Sequence, residues 1–150
     1  IPKSIDYNLA LIIVLSLALG TAMIKTGMAD YIADFIISVF KPFGAIGLLT
    51  GIFLITNLLA SYITNKAAAA IIFPISVTAA INLGLSTTPF ILIVAFAAAA
   101  NFITPIGYQT NLMVYGPGGY SFKDYMKIGA PLTLLYMATS VTILYFYYIY

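Results

Sequence analysis

The sequence predicts an all-α integral membrane protein, and two observations lead to this fold class. Of the 150 residues, 63% are hydrophobic and only 7% are charged, whereas a soluble domain carries about 25% charged residues. Four stretches carry no formal charge: 7–24, 42–65, 67–122 and 128–150. Each is close to or above the roughly 20 residues that a helix needs to cross a bilayer. A membrane β-barrel would instead show segments of about ten residues with alternating polarity.

The residue types that the chain lacks exclude several classes of function. All six cationic residues are lysines, all four anionic residues are aspartates, and there is no histidine or cysteine. This excludes disulfides, thiol chemistry and most transition-metal sites. The net charge of +2 does not suggest a nucleic-acid partner. We therefore expect no enzyme, no organic cofactor and no transition metal.

The first element is a transmembrane helix predicted over 6–27. Asp6 and Asn8 are typical of a helix start, and Lys25 and Gly27 of a helix end. Because the chain begins with Ile rather than Met and has no signal-peptide pattern, we expect it to be part of a longer or processed polypeptide.

The second element, 28–41, has a different character. Asp30, Asp34 and Lys41 are too frequent for a buried span, while apolar residues recur between them at helical spacing. This pattern predicts an amphipathic helix that lies flat in the membrane interface. Pro42 follows directly and ends it.

The third element, 45–82, is apolar except for a polar interruption at 61–66. Two interpretations stay open. Either two full spans meet in a short loop and Lys66 is an interfacial lysine, or two half-helices form a re-entrant hairpin whose tip, 64–66, lies inside the protein. The 18 residues of 45–62 give a helix of about 27 Å, which fits either interpretation.

The fourth element, 89–115, is an apolar run with a predicted break at 104–111, "TPIGYQTN". Pro105 removes a backbone donor, and backbone groups freed in hydrocarbon need other partners. A simple proline kink is the alternative, but this stretch is more polar than a kink requires. A last transmembrane helix is predicted over 128–150, where a tyrosine-rich end suits the membrane interface.

The two polar interruptions share a pattern. Tyr62-Ile63-Thr64-Asn65 and Tyr108-Gln109-Thr110-Asn111 both read Y-x-T-N, and an alanine run lies near each. Paired breaks at mid-membrane depth are typical of transporter binding sites, where half-helix termini attract anions and unwound carbonyls coordinate Na⁺. Two alternatives remain open: the asparagines hydrogen-bond between packed helices, and Lys66 extends its charge to the membrane surface.

Three stretches, 17–33, 60–75 and 104–132, resemble a known family. They are similar to the C-terminal half of the divalent anion:sodium symporters, the sodium/sulfate/dicarboxylate transporters of the ion-transporter superfamily. "TNK" at 64–66 stands where the family has its Ser-Asn-Thr signature, and "GYQTN" at 107–111 resembles the sulfate-type branch. The third signature residue is usually small, and here it is Lys66.

The resemblance implies one inverted-repeat half of an elevator-type transporter that carries a divalent anion, most simply sulfate, with Na⁺ as the coupling ion. The substrate-binding residues implied are Thr64, Asn65, Lys66, Gln109, Thr110 and Asn111. The sodium-binding residues implied are Ala60, Ile63, Asn65, Gly107, Tyr108 and Gln109. A dicarboxylate or arsenite-type substrate and a non-transporting membrane subunit are the alternatives.

The resemblance also implies partners and a location. These are a homodimer in the lipid bilayer of the cell (inner) membrane, and an N-terminal repeat that is absent from this chain. Counting lysines at the predicted helix ends places the 116–127 loop in the cytoplasm and the C-terminus outside it, by three lysines to two. Substrate, stoichiometry and the role of Lys66 are left open by the residues.

Overall fold

The computed structural model describes residues 25–105 and 108–150, together with 11, 14, 15, 18 and 21–23, and only the backbone of Gln109. In these ranges every regular element is helical, so the predicted all-α class is confirmed. Most of the helix expected over 6–27 lies outside the described residues. At its end the chain turns at Gly27, whose φ of 72° is left-handed and suits glycine.

Helix α1, Met28–Phe40, corresponds to the predicted amphipathic helix. Three small or branched residues on one side, Ala29, Ala33 and Ile36, are buried, while Asp30 and Asp34 are exposed. A 3₁₀ turn, Lys41–Phe43, follows and carries Pro42. The turn ends at Gly44, whose positive φ of 65° again favours glycine.

Helices α2, Gly44–Tyr62, and α3, Asn65–Asn82, form a helical hairpin. Only Ile63 and Thr64 lie between them, and the two helices pack on each other. The first half of α2 packs on the end of α1, where the ring of Phe40 lies over Gly51. Helix α3 packs on α1 as well, and its end is joined to α1 by a long hydrogen bond of 3.5 Å from Asn82 Nδ2 to Asp34 Oδ1.

Helix α4, Thr87–Ala99, packs on the hairpin and ends before a segment that is not helical at 100–105 and at Tyr108. A short helix, α5, Gln109–Tyr115, follows it. The long last helix, α6, Phe122–Tyr148, begins with a capping box between Ser121 and Asp124. The core between α2, α3 and α4 is closed by fully buried apolar side chains: Leu49, Ile52, Phe53, Ile75, Phe90 and Ile93.

Three stretches are long and apolar enough to cross a membrane by length and composition: 28–62, which joins α1 to α2, and helices α3 and α6. Helix α4 is shorter, with 13 residues, or about 20 Å at 1.5 Å per residue. An apolar helix of that length needs a continuation or a protein surface at its end to lie within a bilayer. The depth of the hairpin in the membrane stays a prediction.

Candidate functional site

The hairpin reverses direction at a capped turn. Thr64 has extended backbone and is the N-cap of α3, where its Oγ1 accepts a hydrogen bond of 3.2 Å from the amide of Ala67. On the other side of the turn, the amide of Ile63 donates to the carbonyl of Leu59 over 3.0 Å. The carbonyls of Ala60 and Ser61 in the last turn of α2 therefore need partners from elsewhere.

The break supplies those partners through Thr104 and Asn101. The hydroxyl of Thr104 donates to the carbonyl of Ser61 over 3.2 Å. The Asn101 amide nitrogen donates to the carbonyl of Ala60 over 2.7 Å and to Oδ1 of Asn65 over 3.4 Å. Its Oδ1 lies 3.2 Å from the hydroxyl of Ser61 and 3.4 Å from that of Thr104. Asn101 is only 1% exposed. One buried side chain thus links the tip of the hairpin to the break.

The hairpin acts in the same way on the end of α4. The amide nitrogen of Asn57, in α2, donates to the carbonyls of Ala97 and Ala100 over 3.2 and 2.8 Å. These carbonyls belong to the last turn of α4 and to its C-cap, where intrahelical donors run out. Asn57 in α2 therefore caps the C-terminal end of α4, and Asn101, just after α4, caps the C-terminal end of α2. We call this paired region, residues 57–65 with 97–104, the junction.

The break starts earlier than the sequence predicted. It was expected at 104–111, but α4 ends at Ala99 and helical structure resumes at Gln109. The prediction of non-helical backbone over 109–111 is therefore wrong. Helix α4 ends before Pro105, where Asn57 provides a hydrogen-bond partner for the freed carbonyls of Ala97 and Ala100. A helix is described again after Tyr108, which has extended backbone and is the N-cap of α5. The amide of Leu112 donates a hydrogen bond of 3.2 Å to the carbonyl of Tyr108.

Asn111 holds the far side of the break. Its amide nitrogen donates to the carbonyls of Asn101 and Thr104 over 3.0 and 3.3 Å. The carbonyl of Asn111 accepts a hydrogen bond of 2.9 Å from the hydroxyl of Tyr125 in α6. The last helix is thereby tied to the break. A cavity of about 290 Å³ lies beside this contact, and Asn111, Tyr125, Asp124 and several apolar residues line it.

The structure brings some of the predicted site residues together. Ala60, Ile63 and Asn65 lie at the junction, and Asn111 lies next to it through its bond to Asn101. In contrast, four predicted residues have exposed side chains without a described contact across the junction, namely Thr64, whose hydroxyl is used in the cap, Lys66, Tyr108 and Thr110. The side chain of Ile63 is 41% exposed as well. Gly107 and the side chain of Gln109 lie outside the described residues.

Four junction residues were missed by the reading of the sequence: Asn57, Ser61, Asn101 and Thr104. Asn57 and Ser61 stand four residues apart, which places them on one face of a helix, and this spacing was available as a signal. Asn101 directly follows the alanine run 97–100. A polar residue at the end of such a run is a signal of close helix packing with a hydrogen-bonding side chain.

The chemistry available at the junction is that of neutral oxygen and N–H groups. Backbone carbonyls, hydroxyls and amide oxygens are ligands for hard cations, while the first amides of α3, an 18-residue helix, are donors for an anion. Lys66, in the first turn of α3, is the nearest formal charge in sequence. Within the described ranges no group of three His, Cys, Asp or Glu side chains is placed to hold a metal ion.

Comparisons with known proteins point to membrane transport. The model of a family described as "Citrate transporter" matches residues 1–150. An uncharacterized transporter of Synechocystis is 42% identical over 86% of this chain, which spans 21% of that protein. A probable sodium/sulfate cotransporter of Chlamydomonas reinhardtii is 36% identical over 95% of the chain. An uncharacterized transporter of Escherichia coli is 34% identical, also over 95%. The chain spans only about a fifth of the length of these relatives.

Proposed function

The chain belongs to the citrate transporter family, and from that premise we propose that it forms part of a sodium-coupled transporter of a divalent anion, with sulfate as the anion. The family and the matched relatives are transporters, so the expectation that the chain is not an enzyme is confirmed. The chain is part of an integral membrane protein. Because relatives named sodium/sulfate cotransporters are 36% identical to it, sulfate is favoured among anions.

The observation that carries this proposal is the junction between the hairpin tip and the break. Two interrupted apolar elements meet there, and buried asparagines hold their ends together. Helix ends with freed backbone groups at such a meeting point can bind an anion and a cation side by side. The N–H groups donate to the anion, and the carbonyls coordinate the cation. In this proposal the hairpin is re-entrant and the junction lies inside the membrane.

The sodium ion is assigned to the carbonyl side of the junction. The carbonyls of Ala60, in the last turn of α2, and of Ile63, its C-cap, are two of the ligands in this proposal; the others are Asn65, Gly107, Tyr108 and Gln109. The carbonyl of Ala60 already accepts from Asn101, and a carbonyl oxygen has a second lone pair for a cation. Sodium binding at this carbonyl would therefore stiffen the junction.

The anion is assigned to the N-terminal end of α3 and the start of α5. Asn65 lies at the first position of α3 and Asn111 at the third of α5; Thr64, Gln109 and Thr110 complete the proposed set. Lys66 is exposed, so its ammonium is free to reach an anion in front of the tip. Replacing Lys66 by Asn would then raise the KM for sulfate while leaving the fold intact.

The remaining parts of the proposal concern the assembly. We assign the other half of the site to an N-terminal repeat outside this chain, in a homodimer that moves its core against a dimerisation scaffold. The cell (inner) membrane is the proposed location, with the C-terminus outside the cytoplasm. A cysteine at Lys66 distinguishes the two hairpin interpretations, because ready labelling from the surface opposite Lys25 by an impermeant reagent contradicts a buried tip.

Uptake of radiolabelled sulfate by vesicles that contain the full-length protein tests the proposed function. We expect uptake driven by an inward Na⁺ gradient, loss of that uptake when K⁺ replaces Na⁺, and its loss in Asn65→Ala. The family's description as citrate transporters favours a carboxylate as the second candidate. Uptake of citrate rather than sulfate would support that candidate, and uptake of neither would contradict the proposal.

A further inference from the structure

We propose that Asn101 is a positioning residue for anion binding, which fixes the direction in which Asn65 presents its amide group. This inference rests on the proposed function, because it adds a further residue, which acts through Asn65, to the anion site. Asn101 carries no part of the Y-x-T-N pattern and was not among the predicted site residues. Its four contacts nevertheless all go to the hairpin or the break.

The direction of the Asn101 amide is determined by its surroundings. The carbonyl of Ala60 has no hydrogen, so it can only accept, and the group 2.7 Å from it must be the NH₂ of Asn101. The Oδ1 of Asn101 then faces the hydroxyls of Ser61 and Thr104. These two hydroxyls also lie near backbone acceptors, the carbonyls of Asn57 and Ser61, so they share their hydrogens between these carbonyls and Oδ1 of Asn101. The reverse orientation would place two oxygens against each other in a buried site.

The same NH₂ group determines the direction of Asn65. Because the nitrogen of Asn101 lies 3.4 Å from the Asn65 side chain, Asn65 must turn its oxygen towards Asn101. The NH₂ of Asn65 therefore points away from Asn101, at the first turn of α3. In that turn the amide of Ala67 donates to Thr64 Oγ1 and the amide of Ala68 to the carbonyl of Thr64, which leaves the first two amides of the helix to face a ligand. Asn65 thus adds donors, rather than a repelling carbonyl, to the part of α3 that attracts anions.

Asn57 provides a matched control for this role. It is also a buried asparagine, 5% exposed, and its amide nitrogen also donates to two carbonyls across the junction. Its acceptors are Ala97 and Ala100, and no hydrogen bond joins it to Asn65 in the described part of the chain. Replacing Asn57 therefore weakens the junction without changing the direction of Asn65.

The test compares Asn101→Ala with Asn57→Ala in the full-length protein, with sulfate uptake and thermal unfolding as readouts. We expect both variants to unfold at lower temperature. The KM for sulfate should rise about tenfold in Asn101→Ala, as for the loss of one hydrogen bond to a charged group, and stay within about twofold in Asn57→Ala. Equal KM changes in the two variants would overturn the proposal.

A second variant keeps the proposal testable if Asn101→Ala does not fold. Asn65→Asp keeps an oxygen for Asn101 and replaces the outward NH₂ by another oxygen. We expect it to fold and to lose sulfate uptake, because an acceptor now faces the anion. Retention of the wild-type KM in Asn65→Asp would show that the NH₂ does not face the anion, and the proposal would be wrong.

Failure of the proposed function is distinguishable from failure of this inference. If the wild-type protein takes up no sulfate, the proposed function fails, and labelling of the tip still tests Asn101. Ala60, whose carbonyl accepts from Asn101, is fully buried, so an Ala60→Cys variant with no other cysteine reports on loosening of the tip. We expect a soluble maleimide to react several-fold faster when Asn101→Ala is added than when Asn57→Ala is added. Equal rates would contradict a special role of Asn101 at the tip.

Discussion

The contact between the last helix and the break predicts a strong effect of Gly129→Ala. A Cβ atom built on Gly129 would lie 2.1 Å from the carbonyl oxygen of Phe102, 2.5 Å from its carbonyl carbon and 2.9 Å from Cα of Ile103. All three atoms belong to the backbone, which cannot turn away as a side chain can. Ordinary van der Waals contact begins at 3.4 Å, so α6 and the break must separate by more than about 1 Å.

The size of the effect follows from two opposing terms. Alanine is favoured over glycine within a helix by about 1 kcal/mol. Overpacking costs about 1–3 kcal/mol, and the upper end applies here because hydrogen bonds from Asn101 to Ala60 and from Asn111 to the carbonyl of Asn101 hold the break in place. We therefore expect Gly129→Ala to lower the free energy of unfolding by about 1–2 kcal/mol.

Thermal unfolding of the full-length protein in detergent measures this change, and Gly116→Ala is the control. Gly116 follows α5, has a φ of −69° and has no atom within 4 Å of a built Cβ. Its replacement should leave the unfolding temperature unchanged or raise it slightly. If Gly129→Ala unfolds at the same temperature as Gly116→Ala, then α6 does not press against the break as the structure describes.

Two further predictions concern single hydroxyl groups, and thermal unfolding measures both. Thr64→Ala removes the N-cap of α3 and should lower the free energy of unfolding by about 0.5–2 kcal/mol. Thr64→Ser keeps the cap oxygen and should unfold at a temperature close to that of the wild type. Equal losses of stability in the two variants would show that the cap oxygen is not used. The hydroxyl of Thr133 is buried without a hydrogen-bond partner among the described residues. Thr133→Val should therefore leave the free energy of unfolding unchanged or raise it by about 1 kcal/mol. A clear loss of stability would reveal a partner for the hydroxyl.

The hairpin illustrates how far the sequence predicts local structure. The polar interruption at 61–66 marks the place where the chain reverses, and Thr64 before an apolar helical run is a recognisable N-cap signal. Pro42 and Gly44 likewise mark the end of α1, because proline and a left-handed glycine do not continue a helix. Such signals depend on a few neighbouring residues, which a single sequence contains.

The break illustrates what the sequence did not predict. Its position depends on Asn57, which lies 40 and 43 positions away from the two carbonyls it caps, and helix propensity alone gives no reason for α4 to end at Ala99. Asn101 was overlooked for the same reason: its role comes from contacts to Ala60 and Asn65 in another element. Tertiary hydrogen bonds decide these boundaries; the local spacing of polar residues indicates close helix packing but does not identify the partners.

The central claim is that the junction binds an anion together with Na⁺, and ligand-induced stabilisation of the purified full-length protein tests it most directly. A ligand at 100 times its Kd stabilises a protein by about 2.7 kcal/mol. We expect sulfate to raise the unfolding temperature in Na⁺ but not in K⁺, and Asn65→Ala to abolish this shift. An undiminished sulfate shift in Asn65→Ala would contradict the account, because the anion would then bind away from the junction.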